Sequence, residues 1–218
     1  MSFFITLEGI EGSGKTTQLL RLQEHLRSLG LPVSVTREPG GCRIADVIRT
    51  LLLDPGNDSI APHTELLLYS AARAQHVAEF ILPALKQGKI VLCDRFADAT
   101  TVYQGAGRGL DMAQLEAINR FASQGLVPEL TVLLDYPVEE GLHRARTRNQ
   151  CGNLETEGRF ELESIDFHRR IRQGYLDLAA REERFRVIDA LGDEDSVAKR
   201  IIMTPPTPLA PGTRVLSG

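Results

Sequence analysis

Short apolar runs alternate with longer amphipathic stretches along the whole chain. Phe3–Leu7, Val33–Thr36, Ile90–Cys93, Leu130–Leu134 and Phe185–Ile188 are rich in Val, Ile, Leu and Phe and show little in–out alternation. That is the pattern of strands buried on both faces of a parallel sheet. Between them the apolar positions recur at helical spacing, which predicts helices over 16–28, 43–53, 64–87 with a bend near Pro83, 98–105, 112–124, 137–148, 161–182 and 194–202. The first of these carries Leu19, Leu20, Leu22 and Leu26 on one side and stops at Gly30. Pro137 suits a first-turn position, and Glu139 and Glu140 complement the positive end of that helix. Strand alternating with helix predicts one α/β domain over 1–203, a doubly wound five-stranded parallel sheet with helices on both faces. Ligands of such sheets lie at the carboxyl ends of the strands. Glu8–Thr16, Arg37–Gly41, Asp94–Arg95 and Asp135 should therefore converge. Residues 204–218 hold four of the eleven prolines and read as a flexible tail.

The most specific chemistry follows the first strand. Gly9-Ile10-Glu11-Gly12-Ser13-Gly14-Lys15-Thr16 matches the phosphate-binding pattern G-x-x-x-x-G-K-[ST], with Thr17 continuing into the helix. Glycines let the loop curl so that successive N–H groups face an anion, and the helix N-terminus adds a favourable dipole. Lys15 can reach the outer phosphates, and the Thr16 hydroxyl suits Mg²⁺. The strand–turn–helix context is the one this pattern requires, so nucleotide binding is expected.

Composition narrows the setting. A net charge of -4 gives no global attraction to nucleic acid, so any anion site must be built locally from arginines. The cysteines, Cys42, Cys93 and Cys151, are odd in number and lack paired spacing, which fits a reducing cytoplasm; Cys93 reads as a core residue. No apolar stretch approaches the length of a membrane span, and the N-terminus enters a strand without a basic leader. No export signal or membrane anchor is expected.

Four further constellations each allow two readings. Arg37-Glu38-Pro39-Gly40-Gly41 is a turn that either faces a second substrate or is simply solvated. Asp94-Arg95 offers a metal-binding carboxylate and a phosphate-gripping guanidinium, or a surface ion pair. Asp135 is a rival metal-binding acid, although capping the helix that follows also explains it. Tyr69 and Arg73 share a helix face and either read a base or form an ordinary amphipathic surface. Arg144, Arg146 and Arg148, then a polar loop and Arg159, suggest a mobile lid at about 148–160 that brings positive charge over phosphates, against routine helix-end chemistry.

Together these segments resemble the bacterial thymidylate kinases over nearly the whole length, from Phe3 to about Ile202. The resemblance is carried by Leu7 to Thr17, Thr36 to Gly41, Glu65 to His76, and Asp94-Arg95-Phe96 through Tyr103-Gln104-Gly105, in that order. It implies a P-loop NTPase fold and γ-phosphoryl transfer from MgATP to deoxythymidine monophosphate. It further implies that Lys15, the loop Gly9–Thr17 and Arg144 hold ATP, with Thr16 and Asp94 at the metal. Glu11 would face the 3′-hydroxyl of the acceptor sugar. Arg95 would bind the acceptor phosphate, helped by Arg49, Arg37 and Pro39. Tyr69 would stack on thymine, Arg73, Thr100 and Gln104 would read the base, and Arg148 and Arg159 would reach the transferring phosphate. A homodimer is also implied. Cys42 stands where relatives usually have Thr, and the segment 150–157 is longer and less basic than usual.

The rivals are a kinase for another nucleoside monophosphate, a nucleotide-switch module and a mechanical ATPase. No N-K-x-D guanine-reading segment is present, and Asp94 is followed by Arg95 rather than by the second acid a motor would want.

Overall fold

The computed structural model describes residues 2–151 and 159–204, without the side chains of 148–151. Residues 152–158 of the expected lid and all but the first residue of the expected tail lie outside the described residues, and nothing is described of the Arg148 and Cys151 side chains.

Five strands form one sheet, β1 (Phe3–Glu8), β2 (Val33–Arg37), β3 (Ile90–Asp94), β4 (Leu130–Asp135) and β5 (Phe185–Asp189). Their order is β2-β3-β1-β4-β5. Every pairing is parallel, with Phe3 opposite Ile90, Ile5 opposite Leu130, Val33 opposite Ile90 and Thr131 opposite Phe185. Each strand runs one residue past its apolar run and ends on a charged residue.

Successive side chains of a strand face opposite sides of the sheet, and here each side has its own core. Ile5, Leu7 and Leu92 face the larger one, with Leu19, Phe167 and Ile171. Phe4, Val91 and Cys93 face the smaller, with Val77, Ile81 and Phe96. The doubly wound sheet is thus the observed one. Sheet order reverses direction around β1, which places the segments after β1 and β3 together at one edge.

The helices are α1 (Lys15–Ser28), α2 (Arg43–Leu53), α3 (Pro62–His76), α4 (Leu82–Lys86), α5 (Ala97–Thr100), α6 (Met112–Ala122), α7 (Val138–Cys151), α8 (Ile165–Ala179) and α9 (Glu194–Ile202). The helices differ from the sequence reading in three places. The helix expected over 64–87 is interrupted by a π segment, Val77–Ile81, just before Pro83. Proline has no N–H to give to the preceding turn, and the ladder widens there. A second π segment, Thr101–Gly107, continues α5. The helix expected over 161–182 begins only at Ile165, because the Ser164 hydroxyl caps the Phe167 amide at 3.2 Å. Phe160–Leu162 is instead a separate 3₁₀ turn. Leu19 and Leu22 of α1 are buried, but Leu20 is 48% exposed and lines the main cleft rather than the core.

Candidate active site

A cleft of about 800 Å³ opens at the carboxyl ends of β1, β2 and β3. Its floor is the loop between β1 and α1. Gly12 has φ 72° and Gly14 φ 89°, a region that favours glycine. A Cβ on Gly12 would also run into the carbonyl of Gly141 in α7, so only glycine lets loop and helix meet. The loop curls round the Lys15 ammonium, which donates to the carbonyls of Gly9 at 3.1 Å and Ile10 at 2.7 Å and to Ser13 Oγ at 3.4 Å. No side chain caps the first turn of α1. Its free amides and its dipole make a site for an anion. Burial draws the Lys15 pKa down to about 8, with Arg95 adding repulsion, against the attraction of Asp94, Glu11 and Glu8. Thr16 Oγ1 donates to Asp94 Oδ2 at 2.6 Å, bringing those two oxygen donors together.

Arg95 follows β3 with φ 70°, a conformation rare outside glycine. Its guanidinium donates to Glu11 Oε1 at 3.1 Å and to Tyr175 Oη at 3.1 Å, and lies 5.0 Å from the centre of the Tyr103 ring. Burial alone would lower its pKa, yet Tyr103, Tyr175, Glu11 and Glu8 hold it well above the usual value. Burial likewise opposes the charge on Glu11, but His168, Arg95 and Lys15 hold that carboxyl well below the usual range.

The cleft is lined by Tyr69, Arg73, Thr100, Gln104 and Phe160, and by Arg37, Pro39 and Arg49. The sequence-derived candidates Glu11, Gly12, Gly14, Lys15, Thr16, Thr17 and Asp94 line it as well. Gly9, Ile10 and Ser13 act from beneath through the contacts to Lys15.

Three candidates are placed elsewhere. Asp135 does not line the cleft, and its carboxylate is gripped by Arg172 at 2.7 and 2.8 Å, so an ion pair rather than capping accounts for it. Arg144 lies over the Tyr136 ring at 4.5 Å and does not line the cleft. Arg159 is buried, donating to Leu52 O at 2.6 Å and to Glu65 Oε2 at 2.5 Å, so it braces the wall and does not reach over the phosphates in this conformation.

Arg73 is also more committed than the sequence suggested. Only 2% exposed, it donates to Glu38 Oε2 at 2.8 Å, Asn119 Oδ1 at 2.8 Å, Phe96 O at 3.1 Å and Thr100 Oγ1 at 2.9 Å. Four of its five N–H groups are thus engaged, leaving one for a ligand. Several residues to which the sequence assigned no individual role complete the site. Glu38 is held by Arg73 and by His76 Nδ1 at 3.0 Å. Fully buried Glu65 accepts from Gln104, Arg108 and Arg159, and so sets the Gln104 amide nitrogen away from the cleft. The hydroxyl of Tyr103 donates to Glu11 at 2.5 Å. Glu38 and Glu65 fell inside recognisable segments, but nothing in their immediate neighbours announced burial.

Comparison with known proteins matches this geometry to one family. Residues 7–201 match the family model "Thymidylate kinase". A thymidylate kinase of Syntrophotalea carbinolica is 60% identical over 205 residues, covering 94% of this chain and 95% of that protein. One of Pelobacter propionicus is 56% identical over 203 residues, covering 93% of each. The crystal structure of thymidylate kinase from Ehrlichia chaffeensis superposes with a TM-score of 0.72 at 33% identity, covering 92% of this chain and 97% of that one. With the phosphate loop, the Asp94-Arg95 strand end and the aromatic wall in one cleft, the chain belongs to the thymidylate kinase family.

Proposed function

We propose that this chain transfers the γ-phosphoryl group of ATP to deoxythymidine monophosphate, giving dTDP and ADP, and that the cleft described above is where both nucleotides meet. The observation that carries the reading is their shared floor: the uncapped N-terminus of α1 with Lys15 lies beside the Arg95–Glu11 pair. Two anionic substrates repel each other, so a site that brings them together must supply fixed cations between them. Lys15 and the loop amides hold the ATP phosphates. Arg95, with Arg37 and Arg49, grips the phosphate of the acceptor. Glu11 faces the acceptor sugar. Tyr69, whose ring centre lies 6.4 Å from that of Phe160, covers the base. Gln104, with its nitrogen turned to Glu65, offers its oxygen to the N3–H of thymine.

The oxygen donors of Thr16 and Asp94 suit Mg²⁺, which binds through one or two carboxylates plus substrate phosphates and water. Bound there, Mg²⁺ would neutralise charge developing on the β- and γ-oxygens. Among the described residues no helix is long and apolar enough to cross a membrane. A cytoplasmic setting rests on the cysteine usage, with Cys42 and Cys93 free. A homodimer is supported by the apolar outer face of α2, α3 and α6, where Val47 is 65%, Leu67 58% and Phe121 85% exposed.

Arg95→Ala tests the division of the site. Separate titrations should show dTMP weakened by about 1.5–3 kcal/mol, the worth of hydrogen bonds to a charged group, with ATP changed far less. Loss of ATP binding with dTMP binding intact would mean the two sites are reversed.

A further inference from the structure

His168 lies in the first turn of α8 with no exposed surface. Its Nε2 is 3.0 Å from the carbonyl oxygen of Phe160, and its Nδ1 is 3.3 Å from Glu11 Oε2. Both neighbours are acceptors and neither can donate. A ring with its proton on Nε2 alone would press the Nδ1 lone pair against a carboxylate. A ring with its proton on Nδ1 alone would leave the carbonyl facing a lone pair. Only a doubly protonated ring satisfies both contacts. At present Glu11 Oε2 and His168 Nδ1 are close enough for an ion pair, yet neither makes a hydrogen bond of good geometry to a described residue. Buried polar atoms left in that state call for an explanation. The other fully buried histidine, His76, differs: its Nε2 meets the Thr36 hydroxyl at 2.6 Å, which serves either tautomer.

We propose that His168 is a positioning residue, an imidazolium that clamps the free oxygen of Glu11 and ties the phosphate loop to the Phe160 turn. The other oxygen of Glu11 is already held by Tyr103 at 2.5 Å and Arg95 at 3.1 Å. With His168 on Oε2 the carboxylate is fixed at both ends. Lys15 and Arg95 also face Glu11, and Glu8 and Asp94 face those cations in turn. Phe160 lines the cleft and packs edge-on to Tyr103 at 5.4 Å, so the same ring orders a wall of the pocket. The positive end of α8 opposes a cation here, and the carboxylate must outweigh it. The functional part of the inference rests on Glu11 facing the acceptor sugar.

The test combines the protonation state with kinetics. Two-bond ¹H–¹⁵N spectra of the labelled full chain near neutral pH, with His168 assigned through His168→Asn, should show both ring nitrogens protonated. Glu11→Gln should return the ring to a neutral form. His168→Asn keeps an amide donor near the place of Nδ1, whereas His168→Gln reaches toward Phe160 instead. His168→Phe should lower kcat/KM for dTMP by about tenfold, with KM for ATP within about twofold. His168→Asn should restore most of that loss and His168→Gln little of it. A neutral ring in the wild-type chain overturns the ion pair. A protonated ring with unchanged dTMP kinetics in His168→Phe overturns the positioning role and the assignment of Glu11 to the acceptor, and equal rescue by Asn and Gln overturns the clamp.

Discussion

Glu8 ends β1 with no exposed surface, accepting from the Phe96 amide at 2.8 Å and from Tyr175 Oη at 2.7 Å. Burial and the nearby Asp98 push its pKa from 4.5 up to about 7, against Arg95, Tyr175 and the Phe96 amide. The folded state therefore holds this proton more tightly than the unfolded chain. The stability so gained is full below 4.5 and is lost as pH rises through about 7. Glu8→Gln copies the protonated form, one atom accepting from Phe96 and the other donating to Tyr175. Thermal midpoints of the two proteins should be close near about pH 5 and should separate in the variant's favour by about pH 8, by on the order of 1–3 kcal/mol. A gap that stays constant, or that favours the wild type at high pH, would contradict this account. Residues such as Lys15, Thr16 and Asp94 were legible in the sequence because a glycine pattern or a strand end dictates where they point. Glu38, Glu65 and His168 were not, because a carboxylate or an imidazole carries no local sign of burial. Their partners lie far away in the chain, as Arg73 does for Glu38 and Arg159 for Glu65. Arg73 and Arg159 were noticed as cations, but only the folded partners reveal that they brace the wall.

Among the elements, α7 tests the balance between propensity and packing. Gly141 sits inside this helix, where alanine would ordinarily stabilise by about 0.5–1 kcal/mol. A Cβ there would stand 2.5 Å from the carbonyl oxygen of Glu11 and 3.0 Å from Ile10 Cδ1. Both belong to the phosphate loop, whose backbone cannot yield without moving Lys15. Gly141→Ala should therefore destabilise by about 1–3 kcal/mol, the usual cost of overpacking, and should lower kcat as well. Calorimetry and steady-state assays on the same preparation would check it, and a raised midpoint with full activity would show that the loop yields freely. The strands were readable because unbroken runs of Val, Ile, Leu and Phe mark a sheet buried on both sides. Their last residues were missed because each is charged, and pairing continues past the apolar run to deliver that charge to the edge. The π segments were hidden because helical periodicity averages over one widened turn. The exposure of Leu20 was hidden because a stripe of leucines does not distinguish a core from the lip of a cleft.

At the scale of the whole molecule, the outer face of α3 and α6 forms an apolar groove of about 410 Å³ lined by Leu67, Ala71, Ile118 and Phe121. Burying it against a second copy would remove large side chains from water at about 25 cal/mol per Å². Light scattering should give close to twice the monomer mass of 24.1 kDa at micromolar concentration, and Phe121→Glu should shift the mass toward the monomer. A monomer mass for the unaltered chain would contradict the dimer. Fold class was legible at this scale because strand–helix alternation and one glycine loop sufficed. The face that would bind a second copy was not, since exposed and buried apolar positions of one helix look alike until the helix is packed. Phosphoryl transfer to a thymine nucleotide can be checked by measuring ADP release from ATP with dTMP, dUMP, dCMP, dAMP and dGMP in parallel. Loss of one methyl group should cost dUMP about 1–3 kcal/mol. Cytosine should fare worse, because its N3 accepts and would meet the oxygen of Gln104 unpaired. Purines should be negligible, a second ring displacing the edge that would meet the Gln104 oxygen. Turnover should fall in the order dTMP, dUMP, dCMP, then the purines, and equal turnover of dTMP and dGMP would rule out a thymine-reading site.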